Sequence, residues 1–158
     1  MKSRTKVIVP ILSRGLITLA LSWLGCGCST FNRDWNSMAA HTNPTNDIAG
    51  RWEGTWLSEV NGHTDKLRCL MARQADGSYQ ARFHAKYRKI FSFAYTVPLQ
   101  VEPAAGLFKF QGEADLGWWG GGVYHYDGHA NPGDFVSTYR SEYDHGTFQM
   151  ARPDTIVP

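Results

Sequence analysis

Apolar and polar residues alternate along most of the chain from residue 48 to residue 152. Side chains of a β-strand point to its two faces in turn, so this pattern predicts strands with one packed and one hydrated face. Asn61-Gly62 and Asp76-Gly77 are turn signals between such runs. The pattern predicts eight strands, at about residues 50–59, 67–71, 79–88, 91–101, 108–114, 124–129, 135–143 and 148–152.

Short strands joined by tight turns favour an all-β fold, an antiparallel up-and-down barrel of about eight strands, over residues 48–153. A sandwich of two sheets is the alternative. Arg88-Lys89 is a weak turn signal, so the third and fourth strands are either separate or one long bent strand. Pro98 predicts an unpaired or bulged stretch in the fourth strand. Residues 154–158 form a short tail.

The first 25 residues have the pattern of a cleaved export signal. A basic beginning precedes a mainly apolar region of ten residues, 15–24, which is too short to span a bilayer as a helix. The four basic residues of the leader explain the positive net charge, because +2 for the whole chain becomes −2 without Lys2, Arg4, Lys6 and Arg14. The remaining domain is not basic, which argues against nucleic acid as a partner.

The leader ends in Leu24-Gly25-Cys26-Gly27-Cys28, which resembles the lipobox of bacterial lipoproteins. Trp23 stands where that family usually has leucine. The resemblance implies cleavage after Gly25, acylation of Cys26 with chains such as palmitate, and an exported protein anchored in the bacterial cell envelope. Cys28 is the alternative acylated residue, and the motif does not distinguish the inner from the outer membrane.

Residues 26–47 form the segment between the proposed anchor and the barrel. From Ser29 to Asp47 the chain is rich in Asn, Ser and Thr and follows neither strand nor helix periodicity. This composition predicts a flexible tether, in which His41 is solvated and Trp35 is held loosely, with docking on the barrel as the alternative for Trp35.

The first predicted strand begins Gly50-Arg51-Trp52, which resembles the start of barrels of the calycin superfamily: lipocalins, fatty-acid-binding proteins and avidins. Many of these barrels place a basic residue of the last strand across that tryptophan. The resemblance therefore implies a structural role for Gly50 and Trp52, with Arg152 stacked on the ring. Gly54-Thr55-Trp56 repeats the pattern, which leaves the register open.

The histidine, aspartate and cysteine residues form no recognisable catalytic, metal-binding or cofactor-binding motif. His125, Asp127 and His129 share one strand face, but the alternation turns that face to water. Asp144-His145-Gly146 is explained by a turn, and Cys69 by a small buried hydrophobe. Hydrolase, phosphate-loop and zinc motifs are missing, so we expect neither an enzyme nor a cofactor.

The faces assigned to the interior are crowded with aromatic rings and also carry hydroxyl groups. An eight-stranded barrel is just wide enough to be filled by side chains or to hold one small ligand. Buried hydroxyls need partners, which favours a small, partly polar pocket near one mouth. The expected contacts of a small hydrophobic or amphipathic ligand are Trp56, Tyr95, Tyr124, Tyr126, Ser137 and Tyr139.

Two functional interpretations follow from these patterns. The first is a membrane-anchored envelope lipoprotein whose barrel binds that small ligand. The second is a packed structural or protein-interaction module without a ligand pocket, with Trp118-Trp119 as its contact loop. The residues predict neither the identity of the ligand nor the oligomeric state.

Overall fold

The computed structural model describes residues 26–39, 46–88 and 90–153. Eight antiparallel strands form a closed barrel, in which each strand pairs with the next and β8 returns to β1. The predicted up-and-down barrel is confirmed, and the sandwich alternative is wrong. The predicted leader and tail lie outside the described residues. The strands are β1 (Gly50–Ser58), β2 (Thr64–Arg73), β3 (Tyr79–Tyr87), β4 (Phe91–Ala104), β5 (Leu107–Asp115), β6 (Val123–Ala130), β7 (Asp134–Arg140) and β8 (His145–Ala151).

The alternation of residue types becomes an alternation of burial. In β7, Phe135, Ser137 and Tyr139 are buried inside the barrel, and each residue between them is exposed. The turn glycines Gly62 and Gly77 have φ angles of 71° and 87°, in the left-handed region that favours glycine. The sequence therefore specifies both the strand faces and the sharp turns between them.

The third and fourth predicted strands are separate. Arg88 takes a left-handed φ of 52° at the turn, and the Ile90 amide donates to the Tyr87 carbonyl at 3.4 Å. The register between β4 and β5 begins at Leu99, whereas residues 91–98 pair with β3 on the other side. Pro98 thus lies outside the ladder to β5, and the predicted unpaired stretch is confirmed.

Residues 26–39 form a helix, α1 (Cys26–Ala39), where the sequence pattern predicts a flexible tether. The sequence pattern does not predict this helix, and residues 40–45, with His41, lie outside the described part of the chain. Phe31 is fully buried, Trp35 is 7% exposed, and both pack with Leu70 on the outer wall of the barrel. Packing of these rings stabilises a helix of weak intrinsic propensity.

Basic side chains of the outer wall hold α1 in place. The guanidinium of Arg82 bonds to Asp34 at 2.7 Å and to the Thr30 hydroxyl at 2.7 Å. The Arg68 guanidinium carbon lies 5.2 Å from the centre of the Phe31 ring, which also stacks on His84 at 4.8 Å. Burial, with the nearby charge of Arg68, lowers the pKa of His84.

A second, four-residue helix, α2 (Gly117–Gly120), replaces the irregular glycine-rich stretch predicted between β5 and β6. Neither α1 nor α2, the helices of the described residues, is long and apolar enough to cross a membrane.

Candidate functional site

The two ends of the barrel differ in construction. We call the open end the one formed by the turns that follow β1, β3, β5 and β7, and the closed end the one formed by the turns that follow β2, β4 and β6. The chain enters β1 and leaves β8 at the closed end. The predicted structural residues and the predicted ligand contacts divide between these ends.

Trp52 and Arg152 fill the closed end. The Trp52 ring is fully buried, and its indole nitrogen donates to the Ile48 carbonyl at 2.9 Å. The Arg152 guanidinium carbon lies 3.9 Å from the centre of that ring, as the family resemblance implies. Gly50 has a φ of 117°, which allows the chain to turn into β1 immediately before the tryptophan.

The Arg152 guanidinium also joins three backbone segments. It donates to the carbonyls of Pro132 at 3.0 Å, Arg51 at 3.2 Å and Asp47 at 3.1 Å. Burial lowers the pKa of Arg152 to about 10, which leaves the group charged at neutral pH. A charged, planar donor thus ties the end of β8 to the segment that enters β1.

A cavity of about 190 Å³ occupies the open end. Five of the six predicted ligand contacts line it: Trp56, Tyr95, Tyr124, Tyr126 and Tyr139. The other lining residues come from β2, β3, β4 and β8, and from the turns that follow β5 and β7. The further lining residues are Leu67, Ala85, Tyr87, Phe93, Leu116, Gly120, Asp144 and Phe148.

Ring contacts fix the shape of the inner part of the cavity. Phe83 lies beneath Tyr95 and Phe148, with ring centres 5.4 Å and 5.3 Å away. Tyr139 packs on Phe148 at 5.0 Å and faces Tyr124 at 6.0 Å. Large rings in mutual contact have little rotational freedom, so these walls are largely preformed.

Tyrosine hydroxyl groups give the cavity wall its polar character. Burial raises the pKa values of Tyr95 and Tyr126, whose rings stack with their centres 6.5 Å apart. Both phenols are therefore protonated at neutral pH. They present neutral donors and acceptors to the interior rather than negative charge.

Asp144, in the turn between β7 and β8, connects β1 and β7 beside the cavity. Its Oδ1 accepts a hydrogen bond from the Ser58 hydroxyl at 2.6 Å, and its Oδ2 accepts one from the Tyr139 hydroxyl at 3.2 Å. Burial, followed by the charge of Asp144, raises the pKa of Tyr139. The phenol thus keeps its proton and donates a hydrogen bond to the carboxylate.

The mouth of the cavity is framed by Trp56, Tyr87 and His63. The Trp56 indole nitrogen donates to the Lys86 carbonyl at 2.9 Å, which ties β1 to the end of β3 across β2. The His63 ring lies 5.1 Å from Trp56 and 4.6 Å from Tyr87, measured between ring centres. These contacts hold Trp56, only 8% exposed, at the cavity wall.

Every turn of the open end carries an exposed large apolar side chain. Trp118 is 82% exposed and Trp119 91% exposed, and their rings meet edge to face at 4.5 Å. We call these side chains the apolar rim. Its members are Val60, Ile90, Phe91, Trp118, Trp119 and Tyr143.

Ser137 is not among the residues that line the cavity. Its side chain is buried, and its hydroxyl donates to the carbonyls of Thr138 at 2.9 Å and Asp127 at 3.1 Å. Both bonds run to the backbone of the barrel wall. The structure thus gives Ser137 a place in the wall, away from the other five predicted contacts.

The histidines and the aspartate of β6 are exposed and Cys69 is buried, as the sequence pattern predicts. His125, Asp127 and His129 are exposed on the outer face of β6. Cys69 is fully buried, and burial raises the pKa of its thiol. Within the described residues, no three His, Cys, Asp or Glu side chains are grouped to hold a metal ion.

Asp144 and Ser58 are site residues that the sequence did not single out. Asp144 was explained by its turn, and Ser58 ends a strand 86 positions earlier. Closure of the barrel between β1 and β8 brings the two together. The sequence does contain a clue to the role of Asp144. It follows a strand whose inward face carries Tyr139, and a tyrosine hydroxyl can donate a hydrogen bond to a nearby aspartate.

Comparisons with known proteins return no match of any kind. No protein-family model, no curated protein and no solved structure matches this chain.

Proposed function

We propose that this chain is an exported lipoprotein of the bacterial cell envelope whose calycin-like barrel binds a small hydrophobic or amphipathic molecule. The observation that carries this proposal is the cavity of about 190 Å³ at the open end, walled by Trp56, Tyr95, Tyr124, Tyr126 and Tyr139. Ligand sites in proteins are typically concave, apolar and furnished with a few polar groups. The stacking of Arg152 on Trp52 supports the calycin-like assignment.

The size of the cavity limits the ligand. An engineered apolar cavity of roughly 150 Å³ holds benzene, whereas sites for drug-sized molecules run from about 300 Å³ upward. A cavity of about 190 Å³ therefore suits a single ring with a short side chain. A long acyl chain would extend through the mouth towards the apolar rim.

The lipid anchor is proposed on Cys26, with Cys28 as the alternative. Cys26 is the first residue of α1, and Thr30 of that helix already contacts Arg82 on the barrel. Four helical residues span about 6 Å, so an anchor on Cys26 would hold the barrel close to the bilayer surface. The inner or outer membrane is left open.

We propose binding rather than catalysis at this site. The Ser58 hydroxyl donates directly to the carboxylate of Asp144, an ionisable group of the cavity. An activated serine is usually paired with a base such as histidine, which a third group orients. Asp144 and Ser58 are better explained as polar parts of a binding wall.

Tryptophan fluorescence tests ligand binding. Trp56 lines the cavity, whereas Trp52, Trp118 and Trp119 do not, so a ligand in the cavity should quench a signal that Trp56→Phe removes. The panel should combine small aromatic and short aliphatic compounds with fatty acids. Silence across the panel, together with an unchanged thermal midpoint in its presence, would overturn the proposal.

Substitution of the cysteines tests the anchor. Cys26→Ser should release the chain from membranes and abolish its labelling by radioactive palmitate, whereas Cys28→Ser should leave both unchanged. The reverse result would move the anchor to Cys28. Membrane retention of both single variants and of the double variant would overturn lipidation.

A second function, a protein-interaction module, is favoured by one observation. Trp118 and Trp119 are more than four-fifths exposed at the tip of a turn, and exposed apolar groups of this kind often mark contact sites. Trp118→Ala should then lower the recovery of a crosslinked envelope partner. The same variant should leave quenching through Trp56 unchanged, which separates the two functions.

A further inference from the structure

The charge of the cavity wall is negative. Among the described residues that line the cavity, Asp144 is the one that carries a formal charge, and none of these described residues is Lys, Arg or His. A half-enclosed site with low dielectric strengthens the attraction between a carboxylate and a cation. The same site disfavours an anion, which would lose its hydration and meet a like charge.

The Asp144 carboxylate has room for another hydrogen-bond donor. Each of its oxygens accepts one hydrogen bond, Oδ1 from Ser58 at 2.6 Å and Oδ2 from Tyr139 at 3.2 Å. A carboxylate offers about four acceptor positions in total. The two existing bonds therefore fix the orientation of the group without exhausting its capacity.

Aromatic faces surround the carboxylate. Tyr139, a partner of Asp144, faces Tyr124 at 6.0 Å between ring centres, and Tyr124 stacks on Tyr126 at 6.3 Å. The face of an aromatic ring carries negative electrostatic potential and attracts ammonium and guanidinium groups. At the mouth, the exposed Arg88 already places its guanidinium carbon 5.6 Å from the centre of the Tyr87 ring.

From this combination we infer that the cavity selects a small hydrophobic cation, such as a primary amine on a single aromatic ring, with its ammonium group against Asp144. The hydrocarbon part lies among the tyrosine rings and Phe148. This inference rests on the proposed function, because it names the ligand class of the same cavity. It predicts that fatty acids are poor ligands on account of both their length and their charge.

Three compounds that share one skeleton test the inference on the purified full chain. Phenethylamine is cationic at neutral pH, 2-phenylethanol is a neutral analogue of the same size, and phenylacetate is anionic. Titration calorimetry with Trp56 fluorescence should show the amine binding at least about ten-fold more tightly than the alcohol, with the acid weakest. Because this order is measured on the unmodified chain, it does not depend on the folding of any variant.

Two variants then assign the selectivity to one side chain. Asp144→Asn removes the charge and should reduce the preference for the amine over the alcohol to within about three-fold. Glu142→Gln removes an exposed carboxylate from the same turn and should leave the preference intact. Far-UV circular dichroism of each variant shows whether the barrel is folded.

The outcomes separate the two levels of the proposal. Equal or tighter binding of the alcohol or the acid would overturn the cation inference while leaving ligand binding standing. An amine preference that survives Asp144→Asn would also overturn the assignment to Asp144. Failure of all three compounds and of the wider panel would overturn the proposed function itself.

Discussion

The two ends of this barrel contain the same kinds of side chain, but one end is packed and the other encloses a cavity. Each end has an inward tryptophan and a tyrosine that donates to an aspartate: Tyr79 to Asp47 at 2.8 Å at the closed end, and Tyr139 to Asp144 at 3.2 Å at the open end. At the closed end Arg152 stacks on the Trp52 ring, and buried side chains fill the interior. At the open end the rings stand around a cavity.

The two ends differ in whether the chain itself supplies a cation that packs against the aromatic rings. At the closed end the stacked cation belongs to the chain, since Arg152 lies on Trp52 and bonds to three carbonyls. At the open end, the lining residues that the structure describes include aromatic faces and a carboxylate but no cation. We therefore expect stability to be concentrated at the end where the chain supplies its own partner, and the proposed ligand binding at the end where it does not.

The largest expected effect is at Trp52. Trp52→Ala removes a fully buried ring and should lower the free energy of unfolding by about 3–5 kcal/mol, through lost burial and the cavity left behind. Trp118→Ala, which removes an exposed ring at the other end, should change it by less than about 0.5 kcal/mol. Urea denaturation followed by far-UV circular dichroism measures both. Similar losses for the two variants would refute the division between the ends.

The second largest loss of unfolding free energy is expected at Arg152. Arg152→Lys keeps the positive charge but cannot serve the carbonyls of Pro132, Arg51 and Asp47 together, so it should cost about 2 kcal/mol of unfolding free energy. Arg140→Lys, on the exposed face of β7, is the matched control and should be nearly neutral. If the two substitutions cost the same, the guanidinium fork does not close this end.

Tyr79 provides a pH test of the closed end. Burial, followed by the hydrogen bond to Asp47, raises the pKa of Tyr79 to about 12, against about 10 for an unfolded chain. The folded chain thus holds this proton more tightly, so the contribution is complete below pH 10 and is lost as pH rises from about 10 through about 12.

Tyr79→Phe should therefore cost about 1 kcal/mol of unfolding free energy at pH 8. It should also make the fall in that free energy between pH 9 and pH 11 shallower than in the unmodified chain. Urea denaturation at both pH values measures this difference. Ligand affinity should not change, since Tyr79 is not among the residues that line the cavity. An unaltered pH slope would contradict the assigned pKa shift.

The closed end and the barrel are readily predicted from the sequence. Strand alternation has a period of two residues, so inward residues are recognisable without knowledge of the partner strand. The family resemblance implies the stacking of Arg152 on Trp52, and antiparallel closure brings Arg152, which follows β8, close to β1. Asn-Gly and Asp-Gly pairs mark turns because few other residues adopt a left-handed φ.

Helix α1 was missed because its stability comes from packing rather than from propensity. Its Asn, Ser and Thr residues are typical of a spacer, and isolated helices of this length are marginal in water. The signal that was present is the spacing of Phe31, Trp35 and Met38, which lie four and three positions apart. That spacing places the three side chains on one helical face.

The candidate site was predicted only in part because alternation indicates a face and not a height along the barrel. Ser137 and Tyr139 share the inward face of β7, yet Tyr139 reaches the cavity and Ser137 does not. Heights follow from the register and tilt of neighbouring strands, which a single sequence pattern does not contain.

Substitution of Ser137 is expected to have the smallest effect, and it tests most sharply where the packed end of the barrel meets the cavity. Its hydroxyl donates to the Thr138 and Asp127 carbonyls inside the wall, so Ser137→Ala should cost about 1 kcal/mol of unfolding free energy. Ligand affinity should stay within about two-fold of the unmodified chain, because no lining group is changed. Tyr139→Phe, two residues further along the same face, should weaken binding of the amine by removing a donor that orients Asp144. If Ser137→Ala weakens binding as much as Tyr139→Phe does, the cavity extends deeper towards the closed end, and the boundary between the packed and the open halves has to be drawn below Ser137.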